Sequence, residues 1–573
     1  MAVEMPSERA SATEATSQNA AEIDEKSIHH SLELPNQTSE PENVSTVAGN
    51  GYPVGSRLGG IIAALCLAVF CVGLDNAIIS TAIPRITDEF HALQDIGWYG
   101  SAYLLTISAF QLFYGKLYAS FNVKTVFLVA LLIFEVGSAL CGASPSSSAL
   151  IVGRAIAGFG AAGLFSGSFV IIAHSCPVYK RPAYTGIVGG TYGLGSVLGP
   201  LIGGAFTFKV TWRWCFYINL PLGGISAIII ILLLKSKNSS AQNGGKSGLL
   251  EVIWYLDPIG TILFVPSIIC LLLALKWGGT TYNWDDGRII ALFVVFGILF
   301  VTFMGVQYWM GDKATVPLHI ASQRTIAASS VFAIFMGGGF IIMTYFLPVW
   351  FQAIKGVDPW ESGVRLIPLV LSMTLGIALS GGLTTKFGYY MPFVYANVVL
   401  TSIGAGLLTT LAPNSDPGKW IGYQIIFGLG CGFAIQVPQI AAPIVLPLQD
   451  VAQGVSITFF AQLFGGALFA SISDNVLNNK LVKYIGALDI PAEDPKSVVQ
   501  LGATQLRTGV PPAFVQQTVS AYNHALVDTF QIALIIACVS VLGAVGMEWK
   551  NVHSSGAGNG AQEGANTQVP KET

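Results

Sequence analysis

From about residue 58 onward, long apolar runs alternate with short polar breaks. Fourteen runs stand out, at 58–84, 98–121, 124–143, 148–175, 183–208, 215–234, 257–275, 288–310, 326–351, 362–385, 391–412, 420–446, 454–477 and 526–547. A helix rising 1.5 Å per residue needs about twenty residues to cross a ~30 Å hydrocarbon core, and each run supplies roughly that length. The pattern predicts an all-α polytopic membrane protein with fourteen transmembrane helices. An even number puts both ends on one side. Residues 1–56 are polar, acidic and rich in Ser and Thr, so a disordered tail is expected there, and another at 548–573.

Orientation follows from Lys and Arg in short loops. With the amino terminus inside, the inner loops and helix ends carry Arg57, Lys116, Lys124, Lys180, Arg181, Lys235, Lys237, Lys246, Lys313, Arg324, Lys386 and Lys550. The outer ones carry Arg85, Lys209, Arg213, Lys276, Arg288, Lys355 and Lys419. Twelve against seven favours cytosolic tails, with the long 478–525 connection outside. Composition agrees with a membrane chain: 53% of residues are hydrophobic and only 10% charged, against roughly a quarter charged in soluble proteins. A net charge of -3 offers no basic face for nucleic acid. The eight cysteines lie mostly in or beside apolar runs, without metal spacing, and no metal or cofactor is expected.

Ionisable groups inside spans are costly and so become candidate sites. Asp75 lies near the end of the first run, Glu135 in the third and Arg154 in the fourth. By helical rise all three fall roughly 7–11 Å below the outer edge of the core, so the arginine and the carboxylates can neutralise one another. Such a group either couples transport to protons or merely fixes helix packing. In the fifth run, Gly195, Gly199 and Gly203 recur every fourth residue and line one face, where a neighbouring backbone can approach closely. Pro200 removes a backbone donor beside them.

The stretch Gly195-Ser196-Val197-Leu198-Gly199-Pro200-Leu201-Ile202-Gly203-Gly204 resembles the antiporter signature of the major facilitator superfamily, G-x-x-x-G-P-x-x-G-G, at every fixed position. Leu74–Pro84, Trp212-Arg213-Trp214-Cys215-Phe216-Tyr217-Ile218-Asn219-Leu220-Pro221-Leu222-Gly223 and Asp257-Pro258-Ile259-Gly260 resemble motifs of its fourteen-span drug:proton antiporters, as found in fungal toxin and drug efflux pumps. Arg154-Ala155-Ile156-Ala157-Gly158-Phe159-Gly160 is similar to the superfamily's fourth-helix motif. Gly115–Lys124 occupies the place of the usual charged loop motif, but Ala119 replaces its acidic residue. A later copy, Gly382–Gly388, suggests two related halves.

The resemblance implies six-helix bundles at 57–234 and 326–547, with a cytosolic loop and two inserted helices at 235–325. A substrate cavity between the bundles would be lined by Gln111, Tyr345, Gln436, Gln439, Phe460 and Gln462. The implied activity is export of small amphipathic organic molecules in exchange for protons, by a monomer in the plasma membrane or in a vacuolar or vesicular one. Proton-coupled uptake and a transporter-fold sensor are the alternatives. Nothing points to an enzyme, and Asn243-Gly244-Gly245-Lys246-Ser247 matches only the tail of a nucleotide-binding loop, with Ser240 where its first glycine belongs.

Overall fold

A computed structural model describes residues 52–92, 95–235, 256–279, 281–488 and 510–553. The 243–247 stretch and most of both tails lie outside the described residues. The long helices are α1 (Ser56–Phe90), α2 (Ile96–Ser120), α3 (Val123–Gly142), α4 (Ser147–Ser175), α5 (Arg181–Lys209), α6 (Asn219–Leu233), α7 (Pro258–Trp277) and α8 (Gly287–Met310). They continue as α9 (Arg324–Lys355), α10 (Ile367–Phe387), α11 (Met391–Leu408), α12 (Pro417–Ala434, resuming at Val437–Val445), α13 (Val451–Gly486) and α14 (Val515–Val539).

Thirteen helical segments among the described residues are long and apolar enough to cross a membrane. The helix outside that set is α2. Its 25 residues suffice in length, but Tyr99, Tyr103, Gln111, Tyr114, Lys116 and Tyr118 dilute its apolar content, and all six are buried against protein. Polar side chains mark the helix starts: Asn122 accepts from the Lys124 and Thr125 amides at α3, Ser146 from Ala149 at α4, and Asp286 from Arg288 at α8.

Helix pairings in the first half recur in the second. α1 packs on α5 as α9 packs on α13; α2 and α3 pack on α4 as α10 and α11 pack on α12. The cross-pairs α5–α10 and α2–α13 complete the symmetry and join the halves. The pair α7–α8 packs on itself and touches α2 and α13 through α7. Asp257 anchors that pair: it caps Gly260 and accepts from Gln307 Nε2 at 2.7 Å and from the Thr315 amide and hydroxyl at 2.9 Å each. Lys116, from the degenerate loop motif, donates to the Lys313 and Ala314 carbonyls at 3.0 and 3.1 Å, tying α2 to the same corner.

The 478–525 connection differs from expectation. Helix α13 runs on to Gly486 and α14 already begins at Val515, so both ends of the interval are helical. The apolar run ends near 477, but Leu481 and Ile485 still bury one face, and Lys480 and Tyr484 both reach Asp528 of α14, at 3.0 and 2.8 Å. The helix simply becomes amphipathic where it leaves the apolar zone.

Candidate functional site

Where α1, α2, α4 and the start of α6 meet, an ion pair is buried. Arg154 Nη1 bonds Asp75 Oδ2, and both side chains are fully enclosed. Arg154 Nε donates to the Tyr99 carbonyl at 2.9 Å, and its guanidinium lies 4.2 Å from the Tyr103 ring centroid. Asn219 Nδ2 donates to Asp75 Oδ1 and to Ser138 Oγ, each at 3.2 Å. Arg154 Nη2 and Asn219 Oδ1 have no hydrogen-bond partner. Two buried groups thus keep unused hydrogen-bonding capacity beside the charges.

The Trp212–Asn219 segment positions this pair. Arg213 donates to the Gly142 and Ser144 carbonyls, both at 2.8 Å, and meets Glu89 Oε1 at 2.8 Å. Trp212 donates its indole N–H to Glu89 Oε2 at 2.6 Å. Those two contacts, Trp212 first, hold the Glu89 carboxyl below the usual carboxylate range. The ends of α1 and α3 are thereby pinned, and Phe216 and Asn219 are set against Arg154 and Asp75.

Of the three charged candidates, Asp75 and Arg154 pair directly, and Glu135 bonds to neither. Glu135 points from α3 toward Gly223 of α6, and neither carboxyl oxygen has a hydrogen-bond partner. Equal depth fixed nothing about azimuth: a residue at the right height still faces whichever neighbour its helix phase selects.

The glycine face of α5 lies on α1. A Cβ at Gly195 would fall 2.6 Å from the Phe70 carbonyl oxygen, and one at Gly199 would fall 2.8 Å from Ala77 Cβ and 2.9 Å from the Ile78 amide nitrogen. At Gly203 it would meet the Ile78 carbonyl oxygen at 2.8 Å. Gly204 turns the other way, toward the Trp360 ring at 3.2 Å. The earlier glycines 186 and 193 face α10, near Ile377 and Thr374. Pro200 bends no contact away from this face; α5 is unbroken through it.

Among the six cavity candidates, Gln436, Gln439 and Gln462 cluster where α12 breaks. Gln439 and Gln462 are hydrogen-bonded at 2.9 Å, and Gln436 presses on Gly189 of α5 with its carbonyl oxygen unpartnered. Gln111 on α2 is fully buried with both amide atoms unpartnered. Tyr345 on α9 is 62% exposed. Phe460 packs on Phe264 of α7 at 5.2 Å, in a cluster that also holds Leu112 of α2. Its neighbour Phe459 packs on α4, 4.6 and 5.1 Å from Phe165 and Phe169, as an aromatic plug between the two halves.

That aromatic plug was missed in the sequence, as were Asn219, Ser138 and Tyr192. Tyr192 stacks edge-on to Phe165 at 5.3 Å and accepts from Asn76 Nδ2 at 3.4 Å. Asn76 follows Asp75, so a connected path runs from the buried ion pair through Tyr192 and Phe165 to Phe459 of the other bundle. Asn219 was visible inside a quoted motif; the others carry no signal beyond being polar or aromatic in a span.

The plug belongs to a closed end of the molecule. There Arg181 Nη1 donates to the Pro443 carbonyl at 3.0 Å, the Ala183 amide donates to Thr385 at 3.0 Å, and Gly115 abuts Ser456.

Comparison with known proteins agrees with this architecture. The profile of the Major Facilitator Superfamily matches residues 65–470. The chain is 56% identical over 504 residues to "MFS-type efflux pump MFS1" of Arthroderma benhamiae, covering 87% of this chain and 93% of that one. It is 53% identical over 498 residues to "Efflux pump aflT" of Aspergillus parasiticus, covering 87% and 96% respectively. A crystal structure of a double-tryptophan mutant of XylE superposes with a TM-score of 0.55 at 14% identity, over 88% of this chain and 99% of that one, a likeness of fold alone. The chain belongs to the major facilitator superfamily of membrane transporters.

Proposed function

We propose that the protein exports small amphipathic organic molecules from the cytosol across the plasma membrane, in exchange for protons. The observation that carries this is the path from a buried, incompletely satisfied Asp75–Arg154 pair to the aromatic plug between bundles, in a chain whose relatives are named efflux pumps. In this reading α2 is the fourteenth span, the tails are cytosolic, α1–α6 and α9–α14 are the two bundles, and the protein works as a monomer. The closed end then faces the cytosol.

The cycle follows from charge. A proton from the acidic outer side neutralises Asp75, and Arg154 loses its counter-charge in surroundings where no water screens it. Arg154 then shifts toward the capacity left on Asn219 Oδ1, α1 moves with it, and Asn76 carries the movement to Tyr192 and the plug. Once the cytosolic end is open, cargo enters among Gln436, Gln439, Gln462 and the aromatic side chains. The proton leaves, the pair re-forms and the cargo is carried outward. Glu135 is a second proton-accepting position between α3 and α6. The close α1–α5 contact moves these two helices as one body, which is why its glycines recur.

In cells lacking their own pumps, expression of the chain should lower retention of a fluorescent amphipathic dye, and a protonophore should restore it. Unchanged retention would contradict export; lowered retention that ignores the protonophore would contradict proton coupling.

A further inference from the structure

The transport reading leaves one motif without a task. Gly382–Gly388 repeats the loop motif whose first copy has lost its acidic residue at Ala119. In the structure its last glycine, Gly388, adopts φ 81°, ends α10, and receives the far end of the chain.

Beyond Gly546 the chain turns back as an irregular strap over residues 547–553. Tyr390 donates its hydroxyl to the Glu548 carbonyl at 2.6 Å, and the Trp549 ring lies 6.3 and 6.0 Å from those of Tyr389 and Tyr395. Asn551 pairs with Tyr389 as an isolated bridge, and the Val552 amide donates to the Gly388 carbonyl at 2.8 Å. The Val552 side chain is fully buried in the hydrophobic cluster of the second half. These contacts fix the strap to α10 and α11.

Its last described residue reaches the other half. The His553 ring stacks on Tyr179 at 6.1 Å with 26° between planes. Tyr179 lies in the turn Val178–Lys180 that joins α4 to α5. Val178 beside it is buried in the same cluster as Val552. The strap therefore spans the two halves at the end already closed by Arg181–Pro443 and Ala183–Thr385.

We infer that residues 547–553 form a latch across the cytosolic gate, engaged in the gate-closed state and released whenever that end opens. The inference rests on the alternating-access reading above for which end opens, but its geometry is separate. Opening that end draws the α4–α5 turn away from α10, while the strap stays with α10 through its backbone bonds. The His553–Tyr179 stack and the burial of Val178 must then break, so the latch stabilises the closed gate and slows its opening.

Ser456 provides a reporter. It is 1% exposed, faces Gly115 across the closed end, and its hydroxyl has no hydrogen-bond partner, so a thiol fits its place. In a chain with its eight native cysteines replaced, Ser456→Cys should react with an impermeant maleimide from the cytosolic face at least threefold faster once His553→Ala is added. Separately, Tyr179→Cys with His553→Cys, joined by a short cleavable bifunctional thiol reagent, should lose transport and regain it on cleavage. An unchanged labelling rate in His553→Ala would overturn the latch, as would full transport by the cross-linked protein. A parent chain that moves no cargo even before cross-linking would instead count against the transport reading, with the labelling rates still deciding the latch.

Discussion

Replacing Arg154 with alanine should abolish pH-driven flux and at the same time cost the protein stability. The substitution strands Asp75, fully enclosed, with only Asn219 beside it. Removing one partner of a buried pair typically costs about 3–5 kcal/mol, because the remaining charge has lost its solvation and gained nothing. The Tyr99 carbonyl loses its donor and the Tyr103 face its cation as well. Arg154→Lys keeps a charge but not the planar fork that serves Asp75 and Tyr99 together, so it should recover stability better than flux. The double change Asp75→Asn with Arg154→Gln removes both charges; it should fold close to normally yet transport without regard to pH. Thermal unfolding in detergent and flux in proteoliposomes separate the two effects. Full pH-driven flux in Arg154→Ala would make the pair structural and put the coupling elsewhere.

The second large effect lies on the α1–α5 contact. Gly199→Leu should eliminate transport while the protein still reaches the membrane. Gly199→Ala should also be severely impaired, since even a single Cβ would sit 2.8 Å from Ala77 Cβ and 2.9 Å from the Ile78 nitrogen, and backbone cannot step aside as a flexible side chain can. Overpacking of this kind costs about 1–3 kcal/mol, and here it would force apart two helices that must move together. Gly204→Ala is the control from within the same motif. Its Cβ would meet only the Trp360 ring, at 3.2 Å, and most transport should survive. Equal behaviour of Gly199→Ala and Gly204→Ala, measured as initial flux per molecule at the membrane, would refute the close-packing account.

What the sequence disclosed was periodicity and motif; what it withheld was phase. The apolar runs located every long helix, because a bilayer demands about twenty apolar residues wherever the chain crosses. The Gly195–Gly204 string pointed to a close helix contact, and Asp75 and Arg154 were recognisable as a potential pair. Their partners were less legible. Glu135 shares their depth but faces Gly223, and the 100° between consecutive helical residues turns Phe460 to Phe264 and Phe459 to Phe165. The extension of α13 to Gly486 was hidden because hydropathy stops at the membrane edge, whereas the helix continues on one buried face with Lys480 and Tyr484 tied to Asp528. The run at 98–121 is the least apolar of the fourteen because α2 carries tyrosines and Gln111, which are buried against protein.

Exchange of cargo for protons is most directly tested in liposomes containing only the purified wild-type chain and a pH-reporting dye in the lumen. With an acidic lumen and an amphipathic fluorescent cargo outside, inward-oriented pumping should concentrate cargo in step with the imposed gradient. Each increment of cargo should be accompanied by alkalinisation of the lumen, and both should stop when an ionophore collapses the gradient. Cargo entry at the same rate with and without the gradient, and with no change in luminal pH, would contradict the account.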